Sequence, residues 1–118
     1  MNKLLMLGCL WLLSGSAFAQ QQPEFIGGQA KFNSFFLRNL HPPERYLKAQ
    51  PSNRIHYAFR VISSGKVDSV RVWGSPGFGI DEEIKRVVIK SSGQWKPARV
   101  NGKAVSMFHY QAFHPDFD

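Results

Sequence analysis

The chain has 118 residues and carries 15 Lys and Arg against 8 Asp and Glu, a formal net charge of +7 at pH 7. This length allows one domain with a modest core. The basic residues are scattered and form no run, which argues against nucleic-acid recognition and leaves only weak attraction to anionic surfaces.

The first residues have the pattern of an export signal. Lys3 precedes an apolar run that extends to Leu13, and Ala17-Phe18-Ala19 fits a small-x-small cleavage site. We predict that residues 1–19 are a cleaved signal peptide. An uncleaved membrane anchor is disfavoured because the run is shorter than the ~20 residues that span a bilayer. Lipidation at Cys9 is disfavoured because it would leave almost no apolar segment upstream.

The segment that follows is predicted to be helical after a polar, disordered stretch at residues 20–24. Apolar residues then recur at near-helical spacing over residues 29–40, and we expect Phe32 and Phe36 to face a sheet. Pro42 and Pro43 end this helix, because proline lacks an amide donor and restricts the residue before it. We predict a short second helix over residues 43–49.

A β-hairpin is predicted over residues 54–73. Tyr57 and Phe59 belong to an alternating apolar set that can bury one face of a strand, and Val70 belongs to the return strand. Gly65 lies where a hairpin loop needs a positive φ angle. A two-stranded hairpin is only marginally stable alone, so other segments must cover its apolar face.

A third helix is predicted after the glycine-rich connector at residues 74–79, which lacks the Lys and Ser or Thr of a phosphate loop. Asp81-Glu82-Glu83 places negative charge at the positive end of this helix. This match to the helix dipole explains the three adjacent acidic residues more simply than acid–base catalysis does. Ile84 and Val88 lie on its apolar stripe. Beyond it we expect Trp95 to pack at the helix-to-strand junction, a β-strand over residues 105–113, and a free tail at residues 114–118.

Taken together, these segments resemble the C-terminal domain of TonB, the periplasmic end of an energy transducer, in its Bacteroidetes-like variants. The resemblance covers residues 24–113. The residues that carry it are Phe25-Ile26-Gly27-Gly28, Phe36, Asn39, Pro42, Gly65-Lys66-Val67, Gly79-Ile80-Asp81-Glu82-Glu83, Arg86-Val87-Val88, Trp95-Lys96-Pro97, Asn101-Gly102-Lys103 and the strand that begins at Val105.

The resemblance implies an α+β domain of order α-α-β-β-α-β over residues 25–113, in which a three-stranded antiparallel sheet carries helices on one face. It also implies a periplasmic location and a last strand at a sheet edge. In the family that edge binds the TonB box, an extended segment of outer-membrane TonB-dependent receptors, by strand addition during transmembrane transport. The corresponding residues here are Val105, Ser106, Met107, Phe108, His109, Tyr110 and Gln111.

Three departures from the family pattern affect this expectation. Energy transduction needs a retained membrane helix and a long Pro-rich segment, so a cleaved signal would prevent coupling to an inner-membrane motor. Asn53 replaces a glycine, and His41 replaces an aromatic residue. In the last strand His109 takes an inward position, which indicates a short strand, a bulge after Met107 that resets the phase, or exposed aromatic residues that form a contact surface.

No catalytic, cofactor or metal site is expected. The sequence contains no paired nucleophile and base, and His56 and His109 are predicted on opposite faces of the sheet. A metal held by His109, His114, Asp116 and Asp118 would depend on the tail. Cleavage would also remove Cys9, the one cysteine of the chain.

Two functions therefore remain open. The first is a periplasmic module that binds a receptor's TonB box through its edge strand. The second is an envelope-interaction or self-associating module, including a homodimer through the same edge, that neither binds receptors nor transduces energy.

Overall fold

The computed structural model describes residues 20–117. The predicted signal peptide and Cys9 lie outside the described residues, as does Asp118. The elements in chain order are β1 (Gln20–Gln21), β2 (Glu24–Phe25), α1 (Gln29–Asn39), α2 (Glu44–Ala49), β3 (Ile55–Val61), β4 (Val67–Trp73), α3 (Ile80–Lys90), β5 (Trp95–Lys96), β6 (Ala98–Val100), β7 (Lys103–Val105) and β8 (Met107–Phe113).

The architecture confirms the predicted α+β class. The main sheet is antiparallel with the order β4-β3-β8, so β3 is its central strand. Alternate residues of β3, from Ile55 to Val61, are buried, while the residues between them are partly exposed. Because a strand alternates its side chains between two faces, β3 has one apolar face and one wetter face. Helices α1 and α3 cover the apolar face.

Aromatic and aliphatic side chains from every layer meet in one core. Phe36 of α1 stacks on Tyr57 of β3 at 5.5 Å between ring centroids. The predicted core residues Phe32, Phe36, Tyr57, Phe59, Ile84, Val88 and Trp95 are each no more than 4% exposed. Val70 is only partly buried and packs against this cluster.

Trp95 connects these layers. Its indole ring lies 5.1 Å from the rings of Phe32 and Phe59, between centroids. Its Nε1–H donates to Ser91 Oγ at 2.9 Å, and Ser91 Oγ donates in turn to the carbonyl oxygen of Val88. Both polar groups are thereby satisfied inside the core, as burial requires.

The hairpin turn between β3 and β4 approaches the same residue. Gly65 has a φ of 88°, and a Cβ atom built on it would lie 2.5 Å from the carbonyl oxygen of Trp95. The glycine therefore serves two purposes here: it adopts a left-handed conformation, and it allows two backbones to approach closely.

An ion pair anchors the start of α3 to the segment between α1 and α2. Glu83 accepts a hydrogen bond from the amide N–H of His41 at 2.7 Å and pairs with Arg86 at 2.6 Å. The guanidinium of Arg86, which also donates to the carbonyl oxygen of Asn39, holds the pKa of Glu83 below its usual range. Glu83 thus joins two elements in addition to matching the helix dipole.

Both ends of the described chain differ from the sequence prediction. Residues 20–24 were expected to be disordered, but β1 pairs with β6 and β2 pairs with β5. The tail was expected to be free, but the ring of Phe117 packs on Tyr46 at 5.6 Å between centroids. In both cases a short segment gains its stability from residues distant in sequence.

The core position of Trp95 predicts a large effect of truncation. Trp95→Ala should lower the free energy of unfolding by about 3 kcal/mol, because it removes buried ring contacts and leaves a cavity. Urea unfolding followed by circular dichroism measures this. The matched control is Trp73→Ala, at a residue 46% exposed, which should cost less than about 1 kcal/mol. Equal costs would contradict the packing.

The close approach at Gly65 predicts a steric effect separate from the conformational one. Gly65→Ala should be more destabilising than Gly102→Ala by at least about 1 kcal/mol. Gly102 has a similar φ of 80°, but a Cβ atom there would meet nothing within 4 Å. If the two variants lose equal stability in thermal unfolding, the backbone at Trp95 moves away from the added methyl group without a measurable loss of stability.

Candidate functional site

The candidate site is the free edge of β8. All seven residues of this strand pair in continuous register with β3, from Met107 opposite Val61 to Phe113 opposite Ile55. Among residues 20–117 no strand pairs with the other side of β8. Because an antiparallel partner uses the hydrogen-bonding groups of alternate residues, the remaining N–H and C=O groups of β8 point away from the sheet.

The strand begins later than the sequence predicted. Val105 belongs to β7 and lies opposite Ala98 of β6 in a separate small sheet. Ser106 lies between β7 and β8 and belongs to neither strand. The prediction of one strand over residues 105–113 is therefore wrong at its start, because the hairpin that turns at Asn101-Gly102 takes Val105 into a second sheet.

The opposite edge of the main sheet is irregular. Between the pair Ala58–Arg71 and the pair Arg60–Asp68, β4 contains one residue more than β3. Ser69 lies in this interval with a φ of 54°. Such a β-bulge twists a strand and disrupts its ladder, a common protection against unwanted pairing. The sheet thus has one regular edge and one bulged edge, a difference that no residue pattern predicted.

The outer face of the sheet carries exposed aromatic side chains. Phe108 and Tyr110 of β8 are 46% and 55% exposed. Tyr110 lies beside His56, with which its hydroxyl shares a hydrogen bond, and the guanidinium of Arg71 lies 5.6 Å from the ring centre of Phe108. These contacts run across the strands and hold the rings against the sheet.

The inner face carries His109 and Gln111. The continuous pairing of β8 with β3 shows that no bulge resets the phase after Met107, so that alternative is wrong. His109 packs against Trp95 at 5.2 Å between ring centroids, and its Nε2 lies 2.8 Å from the amide nitrogen of Gln111. Burial lowers the pKa of His109, because desolvation disfavours the imidazolium.

Two depressions flank the free edge on the side of α1. A groove of about 230 Å³ lies between the α1 residues Phe32, Asn33, Phe36 and Leu37 and the end of β8. A cavity of about 610 Å³ lies beside His109 and is also lined by Gln29, Lys96 and Arg99. Between them the side-chain amides of Gln29 and Gln111 are in contact at 3.3 Å.

The histidines do not form a catalytic or metal-binding group. His41 and His114 are exposed, and His56 and His109 lie on opposite faces of the main sheet. Within the part of the chain that the structure describes, no three His, Cys, Asp or Glu side chains come together to hold a metal ion. In the same range, residues 20–117, no helix has the length and apolar character needed to cross a bilayer.

Comparison with solved structures finds a likeness to a TonB C-terminal domain. The solution NMR structure of the Pseudomonas aeruginosa TonB C-terminal domain aligns with 64% of this chain and 78% of its own, at 28% sequence identity and a TM-score of 0.45. No protein-family model matches the sequence, and no curated protein matches it.

The lowered pKa of His109 predicts a pH-dependent stability. Because the pKa of this imidazole is lower in the native state than its ordinary value of about 6.5 in the unfolded chain, its contribution to stability is fully present above that pH and is lost as the pH falls toward the native-state pKa. From about pH 7.5 to about pH 5.5 the wild-type protein should lose more unfolding free energy than His109→Asn. The carboxylates of Asp68 and Glu83, whose pKa values are lowered, titrate below this window.

The control for this prediction is His114→Asn, at an exposed position. Urea unfolding at the two pH values should give the same pH dependence for His114→Asn as for the wild-type protein. If His109→Asn also retains the full wild-type dependence, burial of His109 is not its source.

Proposed function

We propose that this protein is a periplasmic, TonB C-terminal-like binding module that engages the TonB box of an outer-membrane TonB-dependent receptor by strand addition to β8. In this proposal residues 1–19 are the export signal, residues 25–113 are the binding domain, and the edge residues from Met107 to Gln111 contact the visiting segment. The module acts in TonB-dependent transmembrane transport. It uses no cofactor and performs no catalysis.

The observation that carries the proposal is the contrast between the two edges of the main sheet. β8 offers a regular ladder over seven residues, whereas β4 is bulged at Ser69. An extended segment can add to a regular edge through backbone hydrogen bonds, with little demand on its side chains. A bulged edge offers a broken ladder and pairs poorly. The geometry therefore favours β8 as the site of strand addition.

The packing of the C-terminal tail supports the same edge. After Phe113 the chain leaves the sheet, and Phe117 packs against Tyr46 of α2. A tail that folded back along β8 would compete with a visiting strand for the same hydrogen bonds. Within residues 20–117 the tail instead packs against Tyr46 of α2, and the outer side of β8 stays unpaired.

We identify the segment that pairs with β8 as a receptor segment because the residues of this chain resemble those of TonB C-terminal domains. That resemblance includes Gly65, which permits the close turn, and Trp95, which holds the core together. Both residues stabilise the packing of the hairpin and helices, so their presence favours a TonB-like arrangement of the sheet and helices.

The test is a titration of the isotope-labelled protein with a synthetic TonB-box peptide, followed by NMR. Amide signals of β8 should shift, because new hydrogen bonds form along its outer edge. Signals of β4 serve as an internal control and should move little. A matched peptide with proline at alternate positions should have no effect, because proline cannot donate to a ladder.

Two outcomes would overturn the proposal. If β8 amides do not move at saturating peptide, the edge does not accept a strand of this kind. If they move on dilution of the peptide-free protein and not with peptide, the edge pairs with a second copy, which is the self-associating alternative.

A further inference from the structure

The two depressions beside β8 differ in chemistry. The groove next to the C-terminal end of β8 is formed mainly by aromatic and aliphatic side chains of α1 and β8. The cavity next to His109 contains the charged side chains of Glu24, Lys96 and Arg99. A strand added to β8 would direct its α1-side residues toward both depressions, because alternate side chains of a strand share one face.

The groove has a buried aromatic floor and an exposed aliphatic rim. Phe36 is 4% exposed and contacts Phe113 at 5.6 Å between ring centroids, whereas Leu37 on the rim is 63% exposed. An apolar side chain placed here would cover Leu37 and the partly exposed Phe113, which is favourable in proportion to the apolar area removed from water. A charged side chain would lose hydration there, and within residues 20–117 no Lys, Arg, Asp or Glu lines the groove to compensate for that loss.

The cavity has a surplus of positive charge. Lys96 and Arg99 oppose a single carboxylate, Glu24, which lies 3.7 Å from the Lys96 ammonium. Arg99 donates through Nη1 to the carbonyl oxygen of Gly102 and so stays at the rim. His109, the remaining titratable group that faces the cavity, is held toward its neutral form by burial. An acidic side chain therefore meets a complementary charge here.

The spacing of the two depressions follows from β8 itself. Phe113 lines the groove and His109 lines the cavity, four residues apart. Gln111 lies midway and joins Gln29 to form the ridge between them. A visiting strand has the same rise as β8, so residues that face the two depressions are also four apart, about 13 Å along the strand.

We propose that the edge of β8 selects extended segments that present an apolar side chain and an acidic side chain four residues apart on the same face. The apolar side chain occupies the groove beside Leu37, and the acidic one occupies the cavity beside Lys96 and Arg99. This inference rests on the proposed strand addition and adds to it a requirement on the sequence of the visiting segment.

The test uses peptides that have the same pattern in either direction along the edge. The first peptide has a central leucine with a glutamate four residues to each side and Thr-Val alternation elsewhere, and the second has lysine in place of both glutamates. The glutamate peptide should bind about fivefold more tightly, the size expected for exchanging an attraction for a repulsion at exposed charges. Raising the salt concentration should reduce this ratio.

Protein variants locate the two selecting sites. The double variant Lys96→Gln, Arg99→Gln should reduce the glutamate-to-lysine ratio to about one or below, because Glu24 is left as the only charged side chain of the cavity. Leu37→Ser should weaken both peptides by a similar factor of about three. Leu37 is mostly exposed, so this variant should keep wild-type thermal stability.

The results separate the inference from the proposed function. Equal binding of both peptides with shifts of β8 amides would leave strand addition intact and overturn the selectivity. A ratio that persists in the double variant would overturn the assignment of the cavity. Binding that leaves the β8 amides unmoved, or no binding of either peptide, would overturn the strand addition and the selectivity with it.

Discussion

The packing of Trp95 is the interaction on which the rest of the structure depends. Its ring contacts Phe25, Phe32, Phe59 and His109, so one side chain touches β2, α1, β3 and β8. Its backbone lies so close to Gly65 that only glycine fits there. Because β2 pairs with β5 through Phe25 and Trp95, the start of α1 is fixed beside β8. The walls of the groove and the cavity follow from this placement.

The edges of the main sheet decide where a further strand can pair. β3 is paired on both sides, and β4 is bulged and packed beneath α3, which leaves β8 as the regular margin. The two faces of β8 also differ. Phe108 and Tyr110 are exposed on the outer face, while His109 and Gln111 face α1. A strand added to β8 would therefore contact α1 through only one of its own faces, and this is the physical origin of the proposed selectivity.

Periodicity in the sequence was sufficient to predict the long elements. The alternation around Tyr57 and the stripe around Ile84 each reflect one buried face, and the structure places strands and helices there. The short strands at residues 20–25 were missed because two-residue pairings carry no periodicity and depend on partners 70 to 80 residues away in sequence. The same limitation applies to the contact between Phe117 and Tyr46.

The candidate site was predicted only in part. The β-prone residues before Phe113 indicated a strand, but the break at Ser106 depends on the hairpin between β6 and β7, which takes Val105 into another sheet. The inward position of His109 looked anomalous in the sequence. The structure accounts for it, since the imidazole lies against Trp95 at the wall of a polar cavity. The cavity itself combines residues from four separate segments, which no local pattern could bring together.

Strand addition requires that the outer edge of β8 is open in the free protein. Amide hydrogen exchange measured residue by residue tests it most directly, because exchange reports whether each N–H group has a partner. We expect slow exchange throughout β3 and, in β8, slow exchange at the amides that face β3 with fast exchange at the alternate, outward-facing amides. Uniformly slow exchange along β8 in dilute, peptide-free protein would contradict the claim, since it would show that this edge is already occupied.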